Sequence, residues 1–187
     1  MGTTIDQKLV SVARKDRHAF GALVTRYELP LARYARRLGA DAELAKDILQ
    51  ESFIKAYLHL NDFDSSLSFS AWMYRIVHNE TITHLRRLNT RPTPVLKEED
   101  LSLFAMIPDE LDLPHEAELR IRQGAVQKAV EALDEKYRTT VVLRFFEHKS
   151  YDEISDILKI PSGTVATYLN RGKAKLKELL SNDKTLQ

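Results

Sequence analysis

The chain has 187 residues, with 28 Lys plus Arg, 27 Asp plus Glu and no cysteine, a length that holds one large domain or two small ones. At 43% hydrophobic and 29% charged residues the composition is that of a globular protein, not a disordered one. The absence of thiols excludes disulfides, cysteine nucleophiles and thiolate metal sites, and fits a reducing compartment.

The longest apolar run, Leu103 to Ile107, is five residues, far short of a membrane span. The start, Met1-Gly2-Thr3-Thr4-Ile5-Asp6, lacks a secretory pattern, and Asp6 stands where myristoylation requires Ser or Thr. The expectation is a cytoplasmic protein with no membrane insertion.

In chain order, Thr4-Ile5-Asp6-Gln7 reads as a capping box that opens a first helix. Asp16 can cap a longer helix toward Leu38, bent at Pro30, and Gly39 ends it. Asp41 caps the next helix, to about Leu58, with Leu44, Ile48, Phe53 and Tyr57 on its apolar side. A polar loop, Asn61 to Ser66, precedes a helix from about Ser68 to Leu88.

Residues 91–122 carry four basic and eight acidic side chains, with Pro92, Pro94, Pro108 and Pro114 among them. Proline at that density defeats helix and sheet, so this stretch reads as a linker, and its apolar patch from Leu101 to Leu113 as a tether or a docking segment. The flanking blocks are mildly basic: +3 over residues 1–90 and +2 over residues 123–187. In the last block Asp134 caps a helix to about Glu147. Ser150-Tyr151-Asp152-Glu153 is a second capping box, and a final helix runs from about Gly163 to Leu180. No alternating strand pattern occurs. The expected fold is all-α, with two small helical domains, 1–90 and 123–187, joined by the acidic linker 91–122.

Three patterns carry function. The short helix at 151–159, the turn Ile160-Pro161-Ser162 and the helix from Gly163 have helix-turn-helix proportions. At 100° per residue, Val165, Leu169, Gly172, Leu176 and Leu179 form the core side, and Thr164, Thr167, Tyr168, Arg171 and Lys175 fall opposite. Hydroxyls and an aromatic ahead of Arg and Lys suit base edges and phosphates; the alternative is a solvated basic face. On the helix at 68–88, Phe69, Trp72, Met73, Ile76 and Val77 form an apolar stripe with Arg75, Asn79 and Arg86 beside it. Such a stripe is either core alone or a platform for unstacked bases. Asp47, Gln50 and Glu51 share one face of their helix, as a docking patch for a basic partner or as plain solvated surface.

These stretches together resemble a bacterial RNA polymerase sigma factor of the extracytoplasmic-function (ECF) class. Asp41 to Tyr57, with its Asp-x-x-Gln-Glu-x-Phe pattern, resembles the family's polymerase-binding helix. Phe69 to Asn79 with His84-Leu85-Arg86-Arg87 resembles its promoter-melting helix. Leu133 to Leu180, above all Ser150-Tyr151-x-Glu153-Ile154 and Pro161-Ser162-Gly163-Thr164-Val165, resembles its −35-reading domain.

The resemblance implies core RNA polymerase (the β′ clamp helices and the β flap) and promoter DNA as partners, together with an anti-sigma factor, and neither catalysis, cofactor nor metal. It implies that Asp47, Gln50 and Glu51 meet polymerase. Asn61, Asp62, Phe63, Ser65 and Ser66, with Trp72, Arg75, Asn79, Thr83, Arg86 and Arg87, would read and melt the −10 element. Ser162, Thr164, Thr167, Tyr168, Arg171 and Lys175 would enter the −35 major groove. The chain departs from the family pattern at Thr83, commonly Asp, at Ala166, commonly basic or polar, and at His148, often Gly. His148 is therefore expected in a left-handed conformation.

An enzyme finds little support. None of His18, His59, His78, His84, His115 and His148 forms an H-x-x-x-H pair, and there is no phosphate-binding loop or nucleophile elbow. The rival reading is a free-standing helix-turn-helix regulator that works without polymerase. Because each block carries so small a net charge, few phosphates can be neutralised. The isolated chain is expected to bind promoter DNA weakly, and a nanomolar dissociation constant for the free protein in a fluorescence titration would overturn that expectation.

Overall fold

The computed structural model describes residues 2–89 and 124–182; the linker expected over 91–122 lies outside them. Among the described residues there is no strand, and no helix is long and apolar enough to cross a membrane. The N-terminal unit holds α1 (Gly2–Lys15), α2 (Phe20–Arg37), α3 (Ala42–Leu58) and α4 (Phe69–Asn89). The C-terminal unit holds α5 (residues 124–131), α6 (Glu135–Val141), α7 (Tyr151–Leu158) and α8 (Ser162–Ser181).

Helical spacing decides what is buried. Phe20, Leu23, Tyr27, Leu31 and Tyr34 line one side of α2, and Ala45, Ile48, Leu49, Ser52 and Ala56 one side of α3. The stops are local. Asp41 Oδ1 accepts from the Leu44 amide at 2.8 Å, and Gly39 takes φ +115°, which a side chain would resist. Asp16 accepts from the His18 amide at 2.9 Å and opens a 3₁₀ turn, Arg17–Ala19, before α2. Helix α2 continues through Pro30.

Two expected caps serve other purposes. Helix α1 already runs from Gly2, so Thr4 to Gln7 do not open it. Instead Asp6 is buried and accepts from Arg26 Nε at 2.8 Å and from the Tyr27 hydroxyl at 2.7 Å, which pins α1 to α2. Asp134 makes no capping bond; its carboxylate pairs with Lys175 of α8 at 2.7 Å. The expected single helix from Asp134 to Glu147 is α6 followed by a π turn, Val142–Phe146, where the Glu147 amide reaches back to the Val142 carbonyl at 3.1 Å. His148, at φ +52°, does take the left-handed conformation, and Lys159 joins it at +54°.

The two units are packed together around Glu147. Its carboxylate, 6% exposed, accepts from Arg37 Nη1 of α2 and from the Tyr74 hydroxyl of α4, both at 2.6 Å. Lys149 follows it in, donating to Ser70 Oγ at 2.6 Å and lying 4.2 Å from the Tyr74 ring centroid. Burial lowers the pKa of that lysine and raises those of the Tyr34 and Tyr74 phenols. Arg138 donates to the Leu38 carbonyl at 3.0 Å, and Arg86 to Glu135 at 2.8 Å. Removing one partner of a buried ion pair strands the other, at a cost of about 3 kcal/mol or more. Glu147→Ala is therefore expected to part the two units, seen as a larger radius of gyration in small-angle scattering and a lower melting temperature. An unchanged radius and melting point would refute this account of the junction.

Candidate nucleic-acid interface

On α3, Asp47, Gln50 and Glu51 are all exposed and share a face, because Ile48, Leu49 and Ser52 turn into the core. Glu51 Oε2 lies 3.3 Å from His84 Nε2 of α4, and Lys55 pairs with Glu80 at 2.7 Å. Glu51, Glu80 and His84 bring their ligand atoms within 4.8 Å of one another. Since each already has a partner across the α3–α4 contact, the group acts as a helix-to-helix bridge. The same face continues to Ile54 and Leu58, 52% and 67% exposed. Neither was picked out from sequence, because an apolar residue on a helix reads as core until its neighbours are placed.

The α3–α4 loop and α4 form the second surface. Asn61, Asp62, Ser65 and Ser66 are exposed. Phe63 is not at the surface: its ring is 4% exposed and packs 5.0 Å from Trp72 and 5.5 Å from Phe69. It anchors the loop to α4 and offers DNA no aromatic face. Ser68 Oγ accepts from the Ala71 amide at 3.2 Å and starts the helix.

Along α4, Trp72 and Arg75 are half-buried, and Asn79, Thr83, Arg86 and Arg87 are exposed. Trp72, Asn79 and Thr83 lie roughly 180° round the helix from Ser70 and Tyr74, which meet the C-terminal unit at Lys149 and Glu147. That part of the interdomain contact therefore leaves Trp72, Asn79 and Thr83 clear, whereas Arg86, farther along α4, reaches Glu135 of the C-terminal unit.

The helix-turn-helix is formed by α7 and α8. Ser150 and Glu153 make both halves of the capping box, at 3.1 and 2.9 Å. Ile154 and Ile157 of α7 and Val165, Leu169 and Gly172 of α8 are buried. A Cβ on Gly172 would lie 2.8 Å from a Val141 methyl, so glycine permits the close approach of α8 to α6.

The expected reading face is partly redistributed. Thr167 and Arg171 are exposed, and Ser162 is exposed with its hydroxyl 3.3 Å from Asp152. Thr164 and Tyr168 are half-buried, the Tyr168 ring standing edge-on to Tyr137 at 5.7 Å. Lys175 leans the same way, to Asp134 and to 5.1 Å from the Tyr137 ring. A hydrogen bond from Arg171 lowers the pKa of the Tyr137 phenol. Tyr168, Arg171 and Lys175 are thus braced on α6. Asn170, exposed between Thr167 and Arg171 in sequence and well away from the buried face, belongs to the outward surface. The 100° spacing places it there, although its side chain carries no charge to mark it in the sequence.

An all-α fold with an exposed acidic and amide helix face, a polar loop anchored by an aromatic and a helix-turn-helix whose second helix carries exposed Arg and Lys has the build of a DNA-binding protein. Residues 23–91 match the Sigma-70 region 2 family model, and residues 123–176 the Sigma-70 region 4 model. The ECF RNA polymerase sigma factor SigW of Bacillus subtilis is 33% identical over 96% of this chain and 98% of its own length. The RNA polymerase sigma-H factor of Pseudomonas aeruginosa is 34% identical over 94% and 93%. Among solved structures, CnrH in complex with the cytosolic domain of CnrY is similar with a TM-score of 0.71, at 27% identity over 96% of this chain and 99% of that one. The chain belongs to the ECF RNA polymerase sigma factors, which are promoter-specificity factors and not enzymes.

His78, on α4 between the two surfaces, has a further consequence. Its Nδ1 lies 3.2 Å from the Tyr34 hydroxyl, and burial pushes its pKa down to about 4. The native state resists a proton that the unfolded chain accepts near pH 6.5, so this contribution is intact above that pH and is lost as pH falls toward 4. The fall between pH 7 and 5 is about 2 kcal/mol of unfolding free energy. Denaturant titrations of His78→Gln against the parent should show a correspondingly flatter pH profile; parallel profiles would contradict the assignment.

Proposed function

We propose that residues 1–90 form the unit that binds core polymerase and reads and melts the −10 element, that residues 123–187 read the −35 element, and that 91–122 is the tether. Asp47, Gln50 and Glu51, extended by Ile54 and Leu58, meet the β′ clamp helices. Asn61, Asp62, Ser65 and Ser66 hold an extruded −10 base, with Trp72, Arg75, Asn79, Thr83, Arg86 and Arg87 along the separated strand. Ser162, Thr164, Thr167, Asn170 and Arg171 enter the −35 major groove, with Tyr168 and Lys175 at its edge, while the C-terminal unit meets the β flap. What supports this reading most is the α3 face: a compact acidic and amide patch runs into exposed apolar residues on a helix whose other side is fully buried. A solvated surface gains nothing from Ile54 and Leu58, whereas a docking surface does.

Geometry adds a requirement. Promoter elements two helical turns apart lie roughly 70 Å from each other, so two units in contact at Glu147 cannot straddle them. A 32-residue tether can extend to about 100 Å, enough for the units to separate on the promoter. The packed state is one an anti-sigma factor can hold, and the relative CnrH was solved with the cytosolic domain of CnrY. A cytoplasmic location follows from work on polymerase and DNA.

Gel filtration with core RNA polymerase tests the assignment. The parent chain should co-elute, and Glu51→Ala should weaken association by tenfold or more while leaving the melting temperature unchanged. Co-elution of the variant at parental affinity would move polymerase binding off α3.

A further inference from the structure

The α3–α4 loop has few bonds of its own. The Asp62 amide reaches the His59 carbonyl at 3.1 Å, the Leu67 amide the Asp64 carbonyl at 3.0 Å, and the Ser66 amide Asp64 Oδ1 at 2.9 Å. Further acceptors of the loop are met from α1, some fifty residues earlier. One guanidinium, Arg14, forks across three of them: Nε donates to the Leu60 carbonyl at 3.0 Å, Nη2 to the Phe63 carbonyl, and Nη1 to Ser65 Oγ at 3.4 Å. Gln7, two turns earlier on the same side of α1, donates to the Ser65 carbonyl at 3.1 Å. Helix α1 is itself fixed to α2 by Asp6, and buries Val10 and Ala13. It lies outside residues 23–91, which match the region 2 family model.

We infer that Arg14, assisted by Gln7, is a positioning residue that sets the base selectivity of the α3–α4 loop. The inference rests on the reading of that loop as the −10 base pocket. An extruded base is told from its competitors by hydrogen bonds at fixed places. A loop that must order itself around each base spends part of every interaction on ordering, and favours whichever base is adaptable. Three acceptors tied to one planar cation fix the path from Leu60 to Ser65, and with it the directions in which Asn61, Asp62 and Ser65 are presented. The fork matters as well as the charge: a lysine ammonium is a point donor and does not span three acceptors in one plane. Arg14 is half-buried and turned toward the protein, so it selects through the loop and not by touching DNA.

The experiment uses the full chain bound to core polymerase and single-stranded oligonucleotides carrying a −10 element, with each position substituted in turn. The measured quantity is the ratio of dissociation constants for the cognate and substituted strands. Arg14→Ala should reduce the discrimination at the extruded base by tenfold or more, Arg14→Lys should restore little of it, and Gln7→Ala should lower it about threefold. Binding of core polymerase and of duplex −35 DNA should stay as in the parent, and amide exchange over residues 61–66 should quicken. Full discrimination in Arg14→Ala, or in Gln7→Ala if the first variant does not fold, overturns the inference. Asn61→Ala and Asp62→Ala separate the two levels. If they alter discrimination and the α1 variants do not, only the role of Arg14 falls. If they leave every ratio unchanged, the base pocket lies elsewhere and the inference falls with it.

Discussion

A carboxylate buried between two domains is costly unless each lone pair is met, and Glu147 is met from both helices it faces. Arg37 supplies the charge and Tyr74 the hydroxyl, while Lys149 closes the same seam from the C-terminal side. This arrangement depends on the π turn that precedes it. One extra residue in the turn carries Glu147 off the end of α6 and over α2 and α4, and His148 at positive φ turns the chain back into α7. The buried apolar residues of both units form one continuous cluster around this seam, so the junction is apolar as well as ionic.

The three candidate surfaces share a design: an exposed row supported by residues from another element. Phe63 and Arg14 hold the loop from below, the first by burial against Trp72 and Phe69, the second through backbone carbonyls. Tyr137 and Asp134 of α6 brace Tyr168, Arg171 and Lys175 of α8. Glu51 is steadied by His84. Such support removes rotamer freedom before a partner arrives, so less binding free energy is lost to ordering.

Local sequence determined most of the helices and the order of the surfaces, but gave no sign of α5 at 124–131 or of the π turn that ends α6. Asp41, Gly39 and Ser150 with Glu153 are each decided by backbone chemistry within four residues, so they could be read one at a time; the left-handed His148 followed from the family resemblance. Periodicity likewise placed Ile48 of α3 and Val165, Leu169 and Gly172 of α8 in the core, because a helix repeats every 3.6 residues whatever lies around it; Leu44, Phe53 and Tyr57 are only half-buried, and Leu179, on the same side of α8, lies beyond the packed part and is exposed. The motifs in their order were enough to identify the sigma family.

What sequence did not determine is every assignment that depends on a distant partner. Asp134 has the local look of a cap, yet it is taken by Lys175, a cation brought near by tertiary packing, and Asp6, an interior position of the expected capping box, is taken by Arg26. Phe63 sits in a polar loop, where its neighbours in sequence point to a DNA contact, yet it is buried against α4; Tyr168 and Lys175 turn toward Tyr137 and Asp134 in the same way. Arg14 reaches a loop 46 to 51 residues away, a separation at which no pattern in the chain signals contact. A charged or aromatic side chain has several stable destinations of similar free energy, and only the folded neighbourhood decides among them; a backbone turn has very few, and the local residues suffice.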